Sequence, residues 1–185
     1  FFGLPQLLLH LYERRRTEPL HIVGGIPLES EVSKAMELAY PGLLAKFPFQ
    51  LIFTRIPAGR SVELLDLEIR VAANTHSIES FGVLIKSGSR SVYYSGDGKS
   101  RNAGIDLMTG ADLVIHESFS IRDRFANHGS VNTCLEIFRQ TGCRKMALVH
   151  LCRESRAQEQ DIEHLIRNAG NDIFLPRDQE TIILD

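Results

Sequence analysis

At 185 residues the chain is long enough for one ordinary domain, and its core needs no disulfide staple to form. Hydrophobic residues at 43% and charged residues at 24% are the balance of a soluble globular protein and exclude a low-complexity chain. A net charge of −2 excludes a strong sequence-wide field for nucleic acid, so any recognition of phosphate has to be local.

Cys134, Cys143 and Cys152 are odd in number and form no CxxC pair. That speaks against a disulfide framework and for a reducing compartment. No apolar run approaches the ~20 residues of a membrane helix, and no signal-peptide pattern is visible. A cytoplasmic location without a membrane partner is therefore expected. The opening Phe1-Phe2-Gly3-Leu4-Pro5 has no initiator Met and starts on apolar residues, so upstream sequence is expected.

Leu4, Leu7, Leu8 and Leu11 recur at helical spacing and predict an amphipathic helix over residues 3–15. Arg14, Arg15 and Arg16 fall in its last turn, where cations complement the helix dipole. Residues 20–25 read as a short buried strand, and residues 28–40 as a helix closed by Pro41-Gly42. Strands follow over 49–56, 61–65 and 67–74. Residues 81–86 and 90–94 flank Ser87-Gly88-Ser89, a hairpin signature. Beyond Gly96 the pattern alternates. Strands at 112–115 and 146–149 interleave with helices at 130–141 and 158–169, and 173–175 and 181–184 read as terminal strands. The pattern predicts an α/β domain over 1–185, a mixed sheet with helices packed outside.

Four strands each deliver a chemically capable residue just past their carboxyl ends: His76, Asp97, Glu117 and His150. Side chains at such ends can converge on one rim of a sheet. Imidazole and carboxylate together suit Zn²⁺ or a similar divalent ion. A single His after a strand is usually packing, and an Asp in Ser-Gly-Asp-Gly is usually a turn residue. The set is what points to a metal centre. His10, His21, His116 and His164 read as surface or packing residues, and Ser130 as an N-cap.

These residues carry a resemblance. Tyr94-Ser95-Gly96-Asp97 resembles the YSGDT element of the metallo-β-lactamase superfamily. Asn74-Thr75-His76-Ser77 resembles its His element before a hairpin. The run from Ala111 to Ser118 resembles the ADLLIHEA element of ribonuclease Z and its relatives. His128-Gly129-Ser130 resembles their HST element, and Leu148-Val149-His150-Leu151 their LTHF element. Five elements in order form a specific match.

The resemblance implies a metallo-β-lactamase-like αβ/βα sandwich whose N-terminal part lies outside this chain. Gly3-Leu4-Pro5 is similar to the start of the helix that follows the superfamily's HxHxDH motif, and no HxHxDH occurs in the 185 residues. It also implies two divalent metal ions, zinc first with manganese the alternative, held by His76, Asp97 and His150 together with ligands upstream. Asp97 would bridge them. His128 would donate the proton to the leaving oxygen, and Glu117 would orient His128. Cys152 departs from the HFSxRY pattern of relatives and is at most a weak extra ligand, while Arg153 or Arg156 could steady a substrate phosphate.

The expected activity is hydrolysis of phosphodiester bonds in a small or cyclic phosphate, by water activated at the metal ions. Ribonuclease Z carries a long RNA-gripping insertion between the His and Asp elements, whereas here only a hairpin fits between His76 and Asp97. A ribonuclease Z-like nuclease acting on transfer-RNA 3′ ends is the first alternative. A non-catalytic fragment or binding paralogue is the second. Relatives are often dimers, which makes a homodimer the expected assembly.

Overall fold

The computed structural model describes residues 3–25 and 28–184, which fall into two compact units divided at Pro57. In the first unit, α1 (Leu4–Glu13) has Pro5 in its opening turn, where the missing N–H costs nothing. Strands β1 (Leu20–Gly24) and β2 (Leu51–Arg55) pair in parallel. Parallel neighbours require a crossover, and α2 (Leu28–Ala39) with a 3-10 turn at Leu44–Lys46 supplies it. Leu8, Val32 and Met36 form the centre of this unit, with Leu20, Ile22, Leu51 and Phe53 packed on them. The three arginines do not sit inside the helix as its sequence suggests. The helix stops at Glu13, Arg15 turns left-handed at φ 55°, and Arg16 reaches the carbonyls of Glu18 and Pro19.

The second unit is built on one long sheet. Its strands are β3 (Ser61–Leu64), β4 (Leu67–Thr75), β5 (Phe81–Ser87), β6 (Arg90–Tyr94), β7 (Lys99–Ser100), β8 (Leu113–Glu117), β9 (Lys145–Val149) and β10 (Ile173–Phe174). The order across the sheet is β10-β9-β8-β6-β5-β4-β3, with β7 paired to the end of β4. Strands β3 to β6 are an antiparallel meander, and β6, β8, β9 and β10 run parallel. The β3–β4 turn places Leu65 and Asp66 at φ 50° and 63°, the left-handed pair that matches the twist of a tight hairpin. The β5–β6 hairpin turns at Gly88, φ 56°.

Helices α3 (Asn102–Met108), α4 (Val131–Thr141), α5 (Arg153–Arg156) and α6 (Glu159–Arg167) complete the unit. Leu84, Tyr93, Val114 and Met146 stand in one row across β5, β6, β8 and β9. They are buried with Met108, Leu135 and Ile162 of the helices. Each large side chain so buried contributes about 1.5–3 kcal/mol. Ser130 caps α4 by accepting the Thr133 N–H at 3.0 Å, and Gly142 ends it at φ 59°. Other features also differ from the sequence reading. Helix α3 was not legible, because it is seven residues long and has no side-chain cap. Residues 181–184 form no strand, since β10 ends the sheet and nothing among the described residues offers that tail a ladder.

Asp112 pins the start of β8. Its carboxylate accepts the Ser91 N–H at 2.8 Å, the Ser91 hydroxyl at 3.1 Å and the Arg144 guanidinium at 3.1 Å. The Ser91 backbone bond, ahead of Arg144, holds its carboxyl below the usual range. A depressed carboxyl stabilises the fold above the unfolded value of about 3.9 and loses that contribution as pH falls through the folded value. Asp112→Asn should therefore lower stability at pH 7 and flatten its fall at acid pH. Urea midpoints at pH 7 and pH 3 check this, and equal losses at both would contradict it.

Candidate metal centre

Strands β4 and β6 are both antiparallel to β5, so they point the same way, and β8 and β9 run parallel to β6. The carboxyl ends of all four therefore share one edge of the sheet. His76 follows β4, Asp97 lies past β6, Glu117 ends β8 and His150 follows β9. His128 precedes the Ser130 cap of α4 and joins them from the β8–α4 loop.

The backbone of this edge is under tight constraint. Gly98 sits at φ 114°, and a Cβ there would come within 2.9 Å of both His76 Cβ and the Thr75 carbonyl oxygen. Only glycine lets β6's extension pass that close to His76. Asn74, buried, donates its amide to the Ser95 carbonyl at 2.6 Å. The Ser80 hydroxyl donates to the Asp97 carbonyl. Ser95 Oγ accepts the Glu117 N–H at 2.8 Å, which ties the end of β6 to β8. His150 itself is left-handed at φ 60°, a conformation that costs of order 1 kcal/mol or more in a non-glycine residue.

Asp97 Oδ1 is the point of convergence. His76 Nε2 and His150 Nε2 each lie 3.5 Å from it, and His128 Nδ1 lies 3.3 Å from it. Yet this oxygen is buried and makes no hydrogen bond. A buried carboxylate oxygen without a partner is costly. Nitrogen and oxygen ligands about 2.1 Å from a tetrahedral ion stand roughly 3.4 Å apart, close to the spacing seen here. The donor set and the orphaned oxygen both fit a divalent cation. One contact runs the other way. His76 Nδ1 accepts the Ile78 N–H at 3.3 Å, which sets the ring proton on Nε2, facing Asp97. A cation at Nε2 would shift that proton to Nδ1 and loosen the Ile78 contact.

Glu117 is fully buried, and its carboxylate faces His128 and the backbone of Gly129. Its Oε1 accepts the Gly129 N–H at 2.5 Å, and its Oε2 faces His128 Nδ1 at 3.1 Å. His128 Nδ1 thus stands between two carboxylates, so it carries a proton and leaves Nε2 for other work. A Cβ on Gly129 would meet the Glu117 carbonyl at 2.9 Å, so this approach also requires glycine. Phe119 lies flat on the His128 ring, centroids 4.4 Å apart, and Phe125 meets Phe119 edge-on at 5.2 Å.

All five residues singled out from the sequence are brought together. Asp97, Glu117, His128 and His150 place one ligand atom each within 4.8 Å of one another, and His76 joins that group through Asp97 and its edge-on contact with His128. Phe119 and Phe125 were missed, because an aromatic after a strand reads as core. The packing readings of His116 and the cysteines agree with their burial. His116 is fully buried, and desolvation pushes its pKa down, so it is neutral. Cys134 and Cys143 are buried, and all three thiols are free. Cys152 caps α5 by accepting the Ser155 N–H and makes no bond to His150 among the described residues. Arg153 and Arg156 are exposed on α5.

Known structures share this fold. The human short-form tRNase Z superposes with a TM-score of 0.75 at 19% identity, over 100% of this chain and 74% of that one. YhfI of Bacillus subtilis, a metallo-beta-lactamase fold protein, gives 0.64 at 18% identity, over 86% of this chain and 63% of that one. A diphosphatase of the PhnP family gives 0.62 at 14% identity, over 99% and 68%. At these identities the likeness is one of fold. No curated protein matches the sequence. No helix among the described residues is long and apolar enough to cross a membrane. The sequence pattern of the Beta-lactamase superfamily domain matches residues 8–151, most of both units and every residue of the centre, and the chain belongs to that superfamily.

Proposed function

We propose that the protein is a metal-dependent hydrolase of small phosphodiesters, cyclic phosphates among them. The observation that carries this reading is Asp97 Oδ1, buried and unbonded, with three imidazole nitrogens 3.3–3.5 Å away. His76, Asp97 and His150 would hold divalent cations, zinc or manganese, with further ligands from outside this chain. Bound cations at such a site supply Lewis-acid polarisation and lower the pKa of water toward neutrality.

The chain's own groups account for the proton. Hydrolysis breaks the bond from phosphorus to the leaving oxygen, and that oxygen needs a proton as it departs. His128 offers one at Nε2, because its Nδ1–H is engaged by Glu117 Oε2. The buried Glu117 carboxylate accepts from Nδ1 and so fixes the ring's orientation. Phe119, stacked on His128, keeps the ring plane from turning.

A short β5–β6 hairpin is all that lies between His76 and Asp97, which favours a compact substrate over an RNA gripped by an arm. The chain spans 63–74% of the three structures compared, and one of them is a diphosphatase and another a tRNase Z. The test is metal content by elemental analysis, paired with turnover of bis(p-nitrophenyl) phosphate and adenosine 2′,3′-cyclic phosphate before and after chelation. Metal bound, with turnover lost on chelation, is expected. A metal-loaded protein that cleaves neither ester would sink the proposal. Turnover should change little between 50 and 200 mM salt. A steep fall, with precursor transfer RNA cut faster than the small esters, would favour the nuclease instead.

A further inference from the structure

Beside the metal centre lies a groove of about 620 Å³, within the size range of small-molecule sites. One wall is the loop that follows β8 together with the start of α4, and the other is formed by α5 and α6. The ion pair between Arg124 and Glu154, 3.1 Å, joins the two walls. The groove takes no part in the proton transfer, but aromatic rings tie it to His128. Phe125 lines the groove, is 45% exposed, and stands edge-on to both Phe119 and His128, the latter at 6.4 Å. A planar group lying on Phe125 would therefore rest next to the proton donor.

Three further features define what such a group would be. Asn132 and Gln158 line the groove with amides, which both donate and accept hydrogen bonds. That is the chemistry that reads the edge of a heteroaromatic ring, not of a plain hydrocarbon. Arg122 also lines it, and its guanidinium has no partner among the described residues, unlike that of Arg124. A free guanidinium suits a phosphate. Asp161 stands on the helix wall, across from the loop that carries Arg122. An anion is thus drawn to the loop side, the side of Phe125.

We infer that this groove is a subsite for a nucleobase-bearing phosphate, with Phe125 stacking the base and Arg122 holding the phosphate. This deepens the proposed phosphodiesterase reading and rests on it for its place in a reaction, but the binding itself needs neither metal nor turnover. The protein has no tryptophan, so Phe125→Trp creates a single fluorescent probe in the groove. In chelator, adenosine 5′-monophosphate should quench this probe saturably, and ribose 5-phosphate at the same concentration should not. By calorimetry, Phe125→Ala should bind adenosine 5′-monophosphate on the order of tenfold more weakly than the unsubstituted protein does, the scale of one base–aromatic stack. Arg122→Ala should weaken the nucleotide and the sugar phosphate alike. Equal binding of the two probes, no binding of either, or unchanged affinity in Phe125→Ala would each overturn the inference. None of those results touches the metal centre, and an inactive enzyme that still binds the nucleotide would leave the groove standing. The base and phosphate could belong to a free nucleotide ester or to an RNA end. A dinucleotide binding no tighter than the monophosphate identifies the former, and one binding more than tenfold tighter identifies the latter.

Discussion

Asp97→Ala should abolish retention of divalent cations and, with it, all hydrolysis, while leaving the fold in place. The Asp97 carboxylate lies within 3.5 Å of His76, His128 and His150, so its loss removes the donor common to all three. A divalent cation held there would need negative charge beside it, and imidazoles alone do not supply that. The fold should survive because Asp97 contributes to it through its backbone. The Ser80 hydroxyl and the Asn74 amide both reach its carbonyl oxygen, and neither contact involves the carboxylate. The side chain is 45% exposed, so truncation leaves little void. Elemental analysis and thermal unfolding of the same preparation check both halves. Retained metal would show that the cation sits elsewhere. A collapsed melting curve would show that the carboxylate is structural.

His128→Ala should behave differently, with metal retained and turnover slowed roughly 10²–10⁴-fold, the usual worth of a positioned proton donor. The separation from Asp97→Ala is the informative part. His128 presents Nδ1 to the buried Glu117 carboxylate at 3.1 Å as well as to Asp97, whereas the Nε2 atoms of His76 and His150 face Asp97. Glu117→Gln should reproduce part of the loss, since an amide is a weaker acceptor for the His128 Nδ1–H and holds the ring less firmly. It should be milder in kcat than His128→Ala and leave KM unchanged. Metal analysis with steady-state kinetics on a substrate with a poor leaving group gives the answer. An activated leaving group such as p-nitrophenolate needs less protonation, so the same variant should lose less on it. Loss of metal in His128→Ala would place this histidine among the ligands.

Much of this centre was legible in the sequence, and the reason is local. His76, Asp97, Glu117 and His150 each stand at the end of an apolar run, and such a run is a strand whose end can be placed within a residue or two. Their convergence was not legible from the runs themselves. It depends on β4 and β6 pointing the same way, which the intervening β5 alone decides, and on β8 and β9 joining β6 in parallel. Resemblance to a known order of motifs supplied that step. His128 is harder still, since a residue in a loop is positioned by what it touches. Its place is set by Glu117, by the close approach allowed at Gly129, and by the face of Phe119. None of these leaves a periodic signal. Helix α3 and strand β7 are too short to show a period, and the arginines after α1 were misplaced because a helix can end on any residue that turns left-handed.

His150 adopts the left-handed conformation at the end of β9, where asparagine or glycine would sit with less strain. Drift under selection for folding alone would therefore carry this position away from histidine. Keeping an imidazole there holds the chain slightly below the stability it could reach, and only a use for the imidazole opposes that drift. In a lineage with no use for that imidazole, position 150 is where the change should come early, and it would arrive as a gain in stability rather than as damage.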